Sequence, residues 1–287
     1  SKNGRLSYTR TALSNNILRF GLEVRSIHTA AYDFILTDFE PITAWAGKLK
    51  GCKVIGLGHQ YAFGHPIPRA GDNFISNLTM RLFAPAQIKL GLHWDNFGAP
   101  ILPPIIDTTL THRFSCQTHT IDRTKADNII VYLPFENQDY IQQQLSCIED
   151  QKFIIYSPDL EDQEIGNLSL RKTSHDGFKK DLCSSYAVIS NSGFELISEC
   201  LQLGLSILTK PQFAQTEQMS NAAALKQLGY AETTEKIDTQ TVRKWLRQLQ
   251  QRPPIKLPNV ASAITEWLLS GQRESPQELA AALWAQT

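Results

Sequence analysis

Apolar residues recur along the chain as short runs, and between the runs they recur at helical spacing. Residues 32–37, 53–57 and 86–92 read as buried strands in the first third, and 128–133, 153–157, 168–171, 187–190 and 206–209 in the remainder. A 3.6-residue period predicts helices over 7–27, from Pro41, over 138–146, from the Ser192–Gly193 turn to Gly204, from Thr216 to Gly229, and over 235–251 and 261–270. Strands alternating with helices of this length predict an α/β chain of parallel sheets covered by helices. In such sheets ligands sit beyond the carboxyl ends of the strands. The proline-dense segment 98–104 loses all periodicity and marks a boundary. It divides the chain into 1–104, a second domain over 105–270 and a terminal helix or tail over 271–287.

The stretch from Ala187 to Gly229 reads strand–helix–strand–loop–helix, and its turns carry the most specific chemistry. Asn191 or Ser192 can cap the helix that follows, and Gly193 lets backbone N–H groups approach an anion. Glu195 and Glu199 stand three and seven residues after Ser192 on one helical face. Glu199 then lies roughly 10 Å behind the anion position by helix rise, where a carboxylate suits a vicinal diol such as that of ribose. The later loop ends in Thr216-Glu217-Gln218, with Thr216 as the expected cap and a carboxylate and an amide suited to sugar hydroxyls. The same spacings also occur in solvated helix faces and simple caps.

Ser192-Gly193, Ser198-Glu199 and Gly204-Leu205, each pair four residues from the next, resemble the donor-site signature of nucleotide-sugar glycosyltransferases of the B-type, two-Rossmann fold. Glu217-Gln218 followed by Asn221-Ala222 is similar to the matching pairs in the family of the lipid-linked N-acetylglucosamine transferase of peptidoglycan synthesis. The resemblance implies two Rossmann-like parallel-sheet domains, the first incomplete at its N-terminus because the chain opens without an initial strand. It implies that Ser192, Gly193, Glu195 and Glu199 hold a nucleoside diphosphate, and that Glu217 and Gln218 hold the transferred sugar. It places His175 and Phe178, in a loop over 173–178, beside the uracil. The loop after the 128–133 strand reads Pro134-Phe135-Glu136-Asn137 where the family carries a glycine-rich turn, which weakens any claim on phosphate there.

Composition narrows the remaining classes. Twenty-eight basic and 28 acidic residues cancel, so no general field favours nucleic acid or anionic lipid. Five cysteines without a Cys-x-x-Cys pair suggest reduced thiols, a cytoplasmic setting and no structural zinc. No apolar run is long enough to span a bilayer. Nothing matches a P-loop, a Gly-x-Ser-x-Gly elbow or a His-Glu-x-x-His zinc motif.

The first domain offers three candidates for the acceptor side. Asp38 and Glu40 follow the 32–37 strand, where they either serve an inter-domain cleft or complement the dipole of the helix at Pro41. Trp45 and Leu49 of that helix are expected to face the sheet. His59 follows the next strand and has the near-neutral titration that general base work needs. Gly58-His59-Gln60 also partly resembles the acceptor loop of the peptidoglycan enzyme. Residues 66–72 read as a mobile acceptor-side loop. Helix 7–27, with Leu13, Ile17, Phe20, Val24 and Ile27 on one side, either covers the sheet or touches a membrane that carries a lipid-linked acceptor. Trp245, Trp267 and Trp284 read as packing residues.

The resemblance implies transfer of a sugar from a UDP-sugar to a hydroxyl acceptor, and with the composition it leads to the expectation of a cytoplasmic enzyme with no metal and no cofactor beyond the co-substrate. A nucleotide-sugar 2-epimerase and a non-catalytic nucleotide-sugar binder share the same donor pattern and remain open at this level.

Overall fold

Apolar strands paired in parallel build two sheets. The computed structural model describes residues 17–71, 74–110, 128–250 and 252–287. The described residues fall into two units. One holds Pro68–Gly71 and the residues from Ile106 to Lys256; the other holds those before Pro68, those that follow Gly71 up to Ile105, and Leu257–Thr287. Residues 257–270, grouped by sequence with the second domain, therefore lie in the unit of the N-terminal segment. The first part of the expected 7–27 helix falls outside the described residues.

The smaller sheet has the order β1 (Phe34–Thr37), β2 (Lys53–Gly58), β3 (Ile88–Gly91), all parallel. Helix α1 (Ile17–Ser26) packs on α2 (Pro41–Lys50), and α2 packs on the strands. The contact face of α2 is Ala44, Ala46 and Gly47, not the expected Trp45 and Leu49. Leu49 is 67% exposed, and Trp45 is half-buried with its indole N–H on the Leu82 carbonyl. The reason is close approach: a Cβ on Gly47 would stand 2.5 Å from Val54 Cγ2. The one-turn helix α3 (His59–Ala62) lies equally close, with the Tyr61 ring against Gly56 and the Ala62 backbone against Gly91. Helix α4 spans Phe74–Leu82. The last helices, α10 (Val260–Leu269) and α11 (Pro276–Trp284), belong to this unit, and Trp284 donates to the Ile101 carbonyl. Trp267 is buried, as is Trp245 in the other unit.

The larger sheet is built from β4 (Asn128–Tyr132), β5 (Lys152–Ser157), β6 (Gln163–Ile165), β7 (Leu168–Lys172), β8 (Ala187–Asn191), β9 (Ser206–Lys210) and β10 (Glu232–Thr233). Its order is β10-β9-β8-β4-β5-β7-β6, parallel throughout except for the β6–β7 edge hairpin. Apart from β6, this is the doubly wound order, in which the chain first moves outward from β4 on one side and then returns to its other side. Strands β5, β8 and β9 are buried almost end to end, as both-face helix cover requires. The covering helices are α5 (Gln138–Ser146), α6 (His175–Ser184), α7 (Phe194–Leu203), α8 (Thr216–Gln227) and α9 (Thr239–Gln248). Ile129, Val131, Phe153, Ile155, Ile189 and Leu208 meet Ile141, Leu145, Val242 and Trp245 in its core.

Cys52, Cys147 and Cys200 are free thiols, but Cys183 is disulfide-bonded, so the expectation of reduced cysteines fails at that position. Among the described residues no helix is long and apolar enough to cross a membrane, and no group of three His, Cys, Asp or Glu could hold a metal ion.

Candidate donor and acceptor sites

The switch in strand order lies between β4 and β8, and the turn after β8 opens there. Gly193 is the N-cap of α7, in extended conformation at φ −72°, ψ 139°. Neither Asn191 nor Ser192 caps the helix, which has no side-chain cap. A methyl group added at Gly193 would meet no neighbouring atom within 4 Å. The amino end of α7 thus keeps its positive dipole end beside open space, as an anion site requires.

Ser192 supports this turn from beneath. Thr209 Oγ1 donates to the Ser190 carbonyl at 3.0 Å, so the 2.9 Å contact between Ser192 Oγ and Thr209 Oγ1 has Ser192 as donor. Asn221 Nδ2 holds the Ser192 carbonyl at 3.0 Å. The Ser192 side chain is wholly buried and serves the turn, not a ligand.

Glu195 is exposed in the first turn of α7. Glu199, one turn on, forms an ion pair with Lys179 of α6, and the two side chains are only 14% and 13% exposed. Lys179 is a residue that sequence reading missed, since nothing in a helix 20 positions away marks it as a partner. The expected loop over 173–178 is shorter than read. Ser174 caps α6, and His175 already stands in its first turn, exposed, with Nδ1 3.0 Å from Asp176. The Phe178 ring is half-buried and packs edge-on to Tyr132 and Tyr156. Burial, the hydrogen bond to Asp181 and its charge all push the Tyr156 phenol up.

The loop after β9 is fastened from within. Gln215, not Thr216, is the N-cap of α8. The buried Gln218 accepts from the Gln212 N–H at 2.9 Å through Oε1, leaving Nε2 as the donor a ligand could use, and Glu217 is half-buried beside it. Segment Pro68–Gly71 is tied to α8 rather than loose: Ser220 Oγ takes the Ala70 N–H, and Thr216 Oγ1 donates to the Gly71 carbonyl.

In the other unit, Asp38, His59 and His93 stand at the carboxyl ends of β1, β2 and β3. Phe39 adopts φ +50°, a left-handed turn that costs about 1–2 kcal/mol and separates two acids with different fates. Asp38 is exposed and packs against Gly58, where a Cβ would be 2.8 Å from its Oδ1. Glu40 caps α2: Oε1 takes the Ile42 N–H, and Oε2 takes the Thr43 N–H and hydroxyl, all within 2.8 Å. Partial burial raises the pKa of Glu40, but these hydrogen bonds outweigh it and lower the carboxyl below its ordinary value. That is the chemistry of a cap and works against a base near neutrality.

His59 is 5% exposed, with Nδ1 2.8 Å from the Leu92 carbonyl. A carbonyl only accepts, so Nδ1 carries a proton and donates it there. His93 packs edge-on at 5.0 Å between ring centroids and accepts the Trp94 N–H on Nδ1. Burial, reinforced by His59, drives His93 down to about 2, so it stays neutral. Its place after β3 was not read from the sequence, because a histidine next to tryptophan in an apolar stretch has no distinguishing pattern.

Known proteins agree with this architecture. The chain is similar to the glycotransferase of kitacinnamycin, with TM-score 0.58 and 13% identity over 100% of this chain and 85% of that one. It is also similar to MurG of Acinetobacter baumannii, with TM-score 0.53 and 13% identity over 93% and 77% of the two chains. The glycosyltransferase SnogD from Streptomyces nogalater gives TM-score 0.50 and 12% identity over 99% and 85%. At these identities the likeness is one of fold. No curated protein matches by sequence. A sequence profile for glycosyl transferase family 1 matches residues 3–250. With that match over most of its length, and parallel sheets like those of the two-domain B-type enzymes, the chain belongs to glycosyl transferase family 1 and is a glycosyltransferase.

Proposed function

We propose that the donor is a nucleoside-diphosphate sugar, a UDP-sugar, and that the acceptor is a hydroxyl compound. The observation that carries this is the amino end of α7, without a side-chain cap and open at Gly193, at the switch point of a doubly wound sheet. The diphosphate docks there, on backbone N–H groups, and Glu199 receives the ribose with the oxygen that Lys179 does not hold. Glu217 and the Nε2 of Gln218 meet the transferred sugar, and the exposed first turn of α6, with His175, and the Phe178 ring flank the base.

In the reaction an acceptor oxygen bonds to the anomeric carbon as the bond from that carbon to the diphosphate breaks. The acceptor proton passes to a base, and the helix end stabilises the charge that develops on the leaving group. Asp38 and His59 are the candidates for that base, and Glu40 contributes as the cap of α2. No metal or cofactor is invoked in this reading. A lipid-linked acceptor and a site of action at the inner face of a membrane fit the surface of α1, where Ile17 and Leu18 are more than 80% exposed beside Arg19 and Arg25.

Calorimetry with UDP and with UDP-, GDP- and dTDP-sugars tests the reading. UDP and UDP-sugars should bind, and Glu199→Ala should weaken UDP by about 1–3 kcal/mol, as removal of charge-assisted hydrogen bonds does. Unchanged UDP affinity in that variant removes Glu199 from the site. Absence of binding by every nucleotide tested defeats the donor assignment.

A further inference from the structure

Lys210 is the last residue of β9 and pairs in register with Asn191, the last of β8. Its ammonium lies 2.5 Å from Oε1 of Glu136, in the loop after β4. Strand β8 stands between β9 and β4. The distance from β9 to β4 is about 10 Å at the usual strand spacing, more than the roughly 6 Å an extended lysine spans. The Lys210 side chain therefore crosses the carboxyl end of β8, and Glu136 reaches back to meet it. The pair sits over the crevice where the strand order reverses, next to the turn that opens α7.

Two features argue against a purely structural tie. Both side chains are only 15% exposed, so each charge has lost most of its water, and a partly buried pair is a poor source of stability. Two acceptors on residues bonded to the backbone of the pair are also unsatisfied. Asn191 is 6% exposed and gives Nδ2 to the Lys210 carbonyl, but its buried Oδ1 has no partner among the described residues. The Oε1 of Gln138, whose Nε2 serves the Leu133 and Glu136 carbonyls, is buried and unpartnered too. A cation paired at the switch point is thus flanked by two residues whose buried acceptors are unsatisfied, which suits a site that a ligand completes.

We propose that Lys210 is a second ligand for the diphosphate: Glu136 holds its ammonium over the end of β8, and an incoming diphosphate at the amino end of α7 takes it over. The proposal rests on the nucleotide-sugar reading and adds the residue that counts phosphate charge. Glu136 acts as a stand-in for the diphosphate and competes with it.

The test compares UDP, UMP and uridine by calorimetry on the full chain. Lys210→Met should weaken UDP by about 10- to 100-fold while uridine stays within about twofold, and the loss should shrink as salt rises. Glu136→Gln should tighten UDP severalfold and leave uridine unchanged, an effect that no structural tie produces. If Lys210→Met fails to fold, Glu136→Gln decides alone. UDP affinity unchanged in Lys210→Met, equal losses for UDP and uridine, or no tightening in Glu136→Gln overturns the proposal while leaving the donor assignment standing. A wild-type protein that binds no nucleotide overturns both.

Discussion

The Glu40 carboxylate accepts three hydrogen bonds from the first turn of α2, and this sets its chemistry more than its place near a strand end does. Glu40→Ala should cost about 0.5–2 kcal/mol of stability, the usual loss for an N-cap, measured by denaturant unfolding. Because its pKa is lowered on folding, the contribution is complete above the unfolded value near 4.5 and disappears as pH falls through the folded value. His93 gives the same sign in another window. Its unfolded value is 6.5 and its folded value about 2, so the unfolded chain takes up a proton that the folded chain refuses. Stability is complete above pH 6.5 and should fall by on the order of 1 kcal/mol per pH unit below it from this residue. Unfolding curves from pH 7 to pH 4 should therefore be flatter for His93→Gln than for wild type; parallel curves refute the assignment. The His93 behaviour was not legible in the sequence. For Asp38 and Glu40 it left the cleft and the helix dipole open alike, and only the turn at Phe39 sends one to the surface and the other back into the helix end.

Among the elements, α7 shows how a sequence signal can be right in place and wrong in detail. The run from Ser192 to Gly204 announces a helix with small residues at its start, and the helix forms there, closed by Gly204 in the left-handed region at φ +65°. The cap is nonetheless Gly193, because Ser192 is drawn under the turn by Thr209 and Asn221, 17 and 29 residues away. An exposed serine oxygen would fill the anion position, so its removal leaves the helix end open. Gly193→Ala is the variant that separates fold from function. Its φ of −72° suits alanine and the space is empty, so stability should change by less than about 1 kcal/mol. The added methyl nonetheless projects where the diphosphate docks, and UDP affinity should fall by about tenfold or more. Equal UDP affinity in wild type and variant places the diphosphate elsewhere. Helix α2 teaches the complementary lesson: its apolar period pointed to Trp45 and Leu49, but the sheet admits only a face of alanine and glycine.

At the scale of the whole molecule, the chain closes one unit with its last two helices. Leu279, Ala280 and Leu283 of α11 are buried in the same unit as β1–β3, while the donor-site residues all lie in the other. Leu283→Ala should remove about 2–5 kcal/mol from the first of these and leave UDP affinity untouched. In scanning calorimetry the variant should lower one transition, and UDP at about 100 times its Kd should raise the other by roughly 2.7 kcal/mol in stability. A single transition moved by both shows that the units unfold together. The sequence by itself determined the longer strands, most of the helices that alternate with them, and the turn at Ser192–Gly193, because these depend on periodicity and on the conformational range of neighbouring residues. It missed the short edge strands β6 and β10 and the helix α4, left α11 open as helix or tail, and missed α6, whose start it read as a loop. Tertiary structure alone decided the strand order, the pairings of Glu199 with Lys179 and Glu136 with Lys210, and the burial of His59 beside His93. Those depend on which strands become neighbours. Partners 20 to 74 residues apart are joined by no local rule, only by the packing of helices and strand ends that the sheet brings side by side.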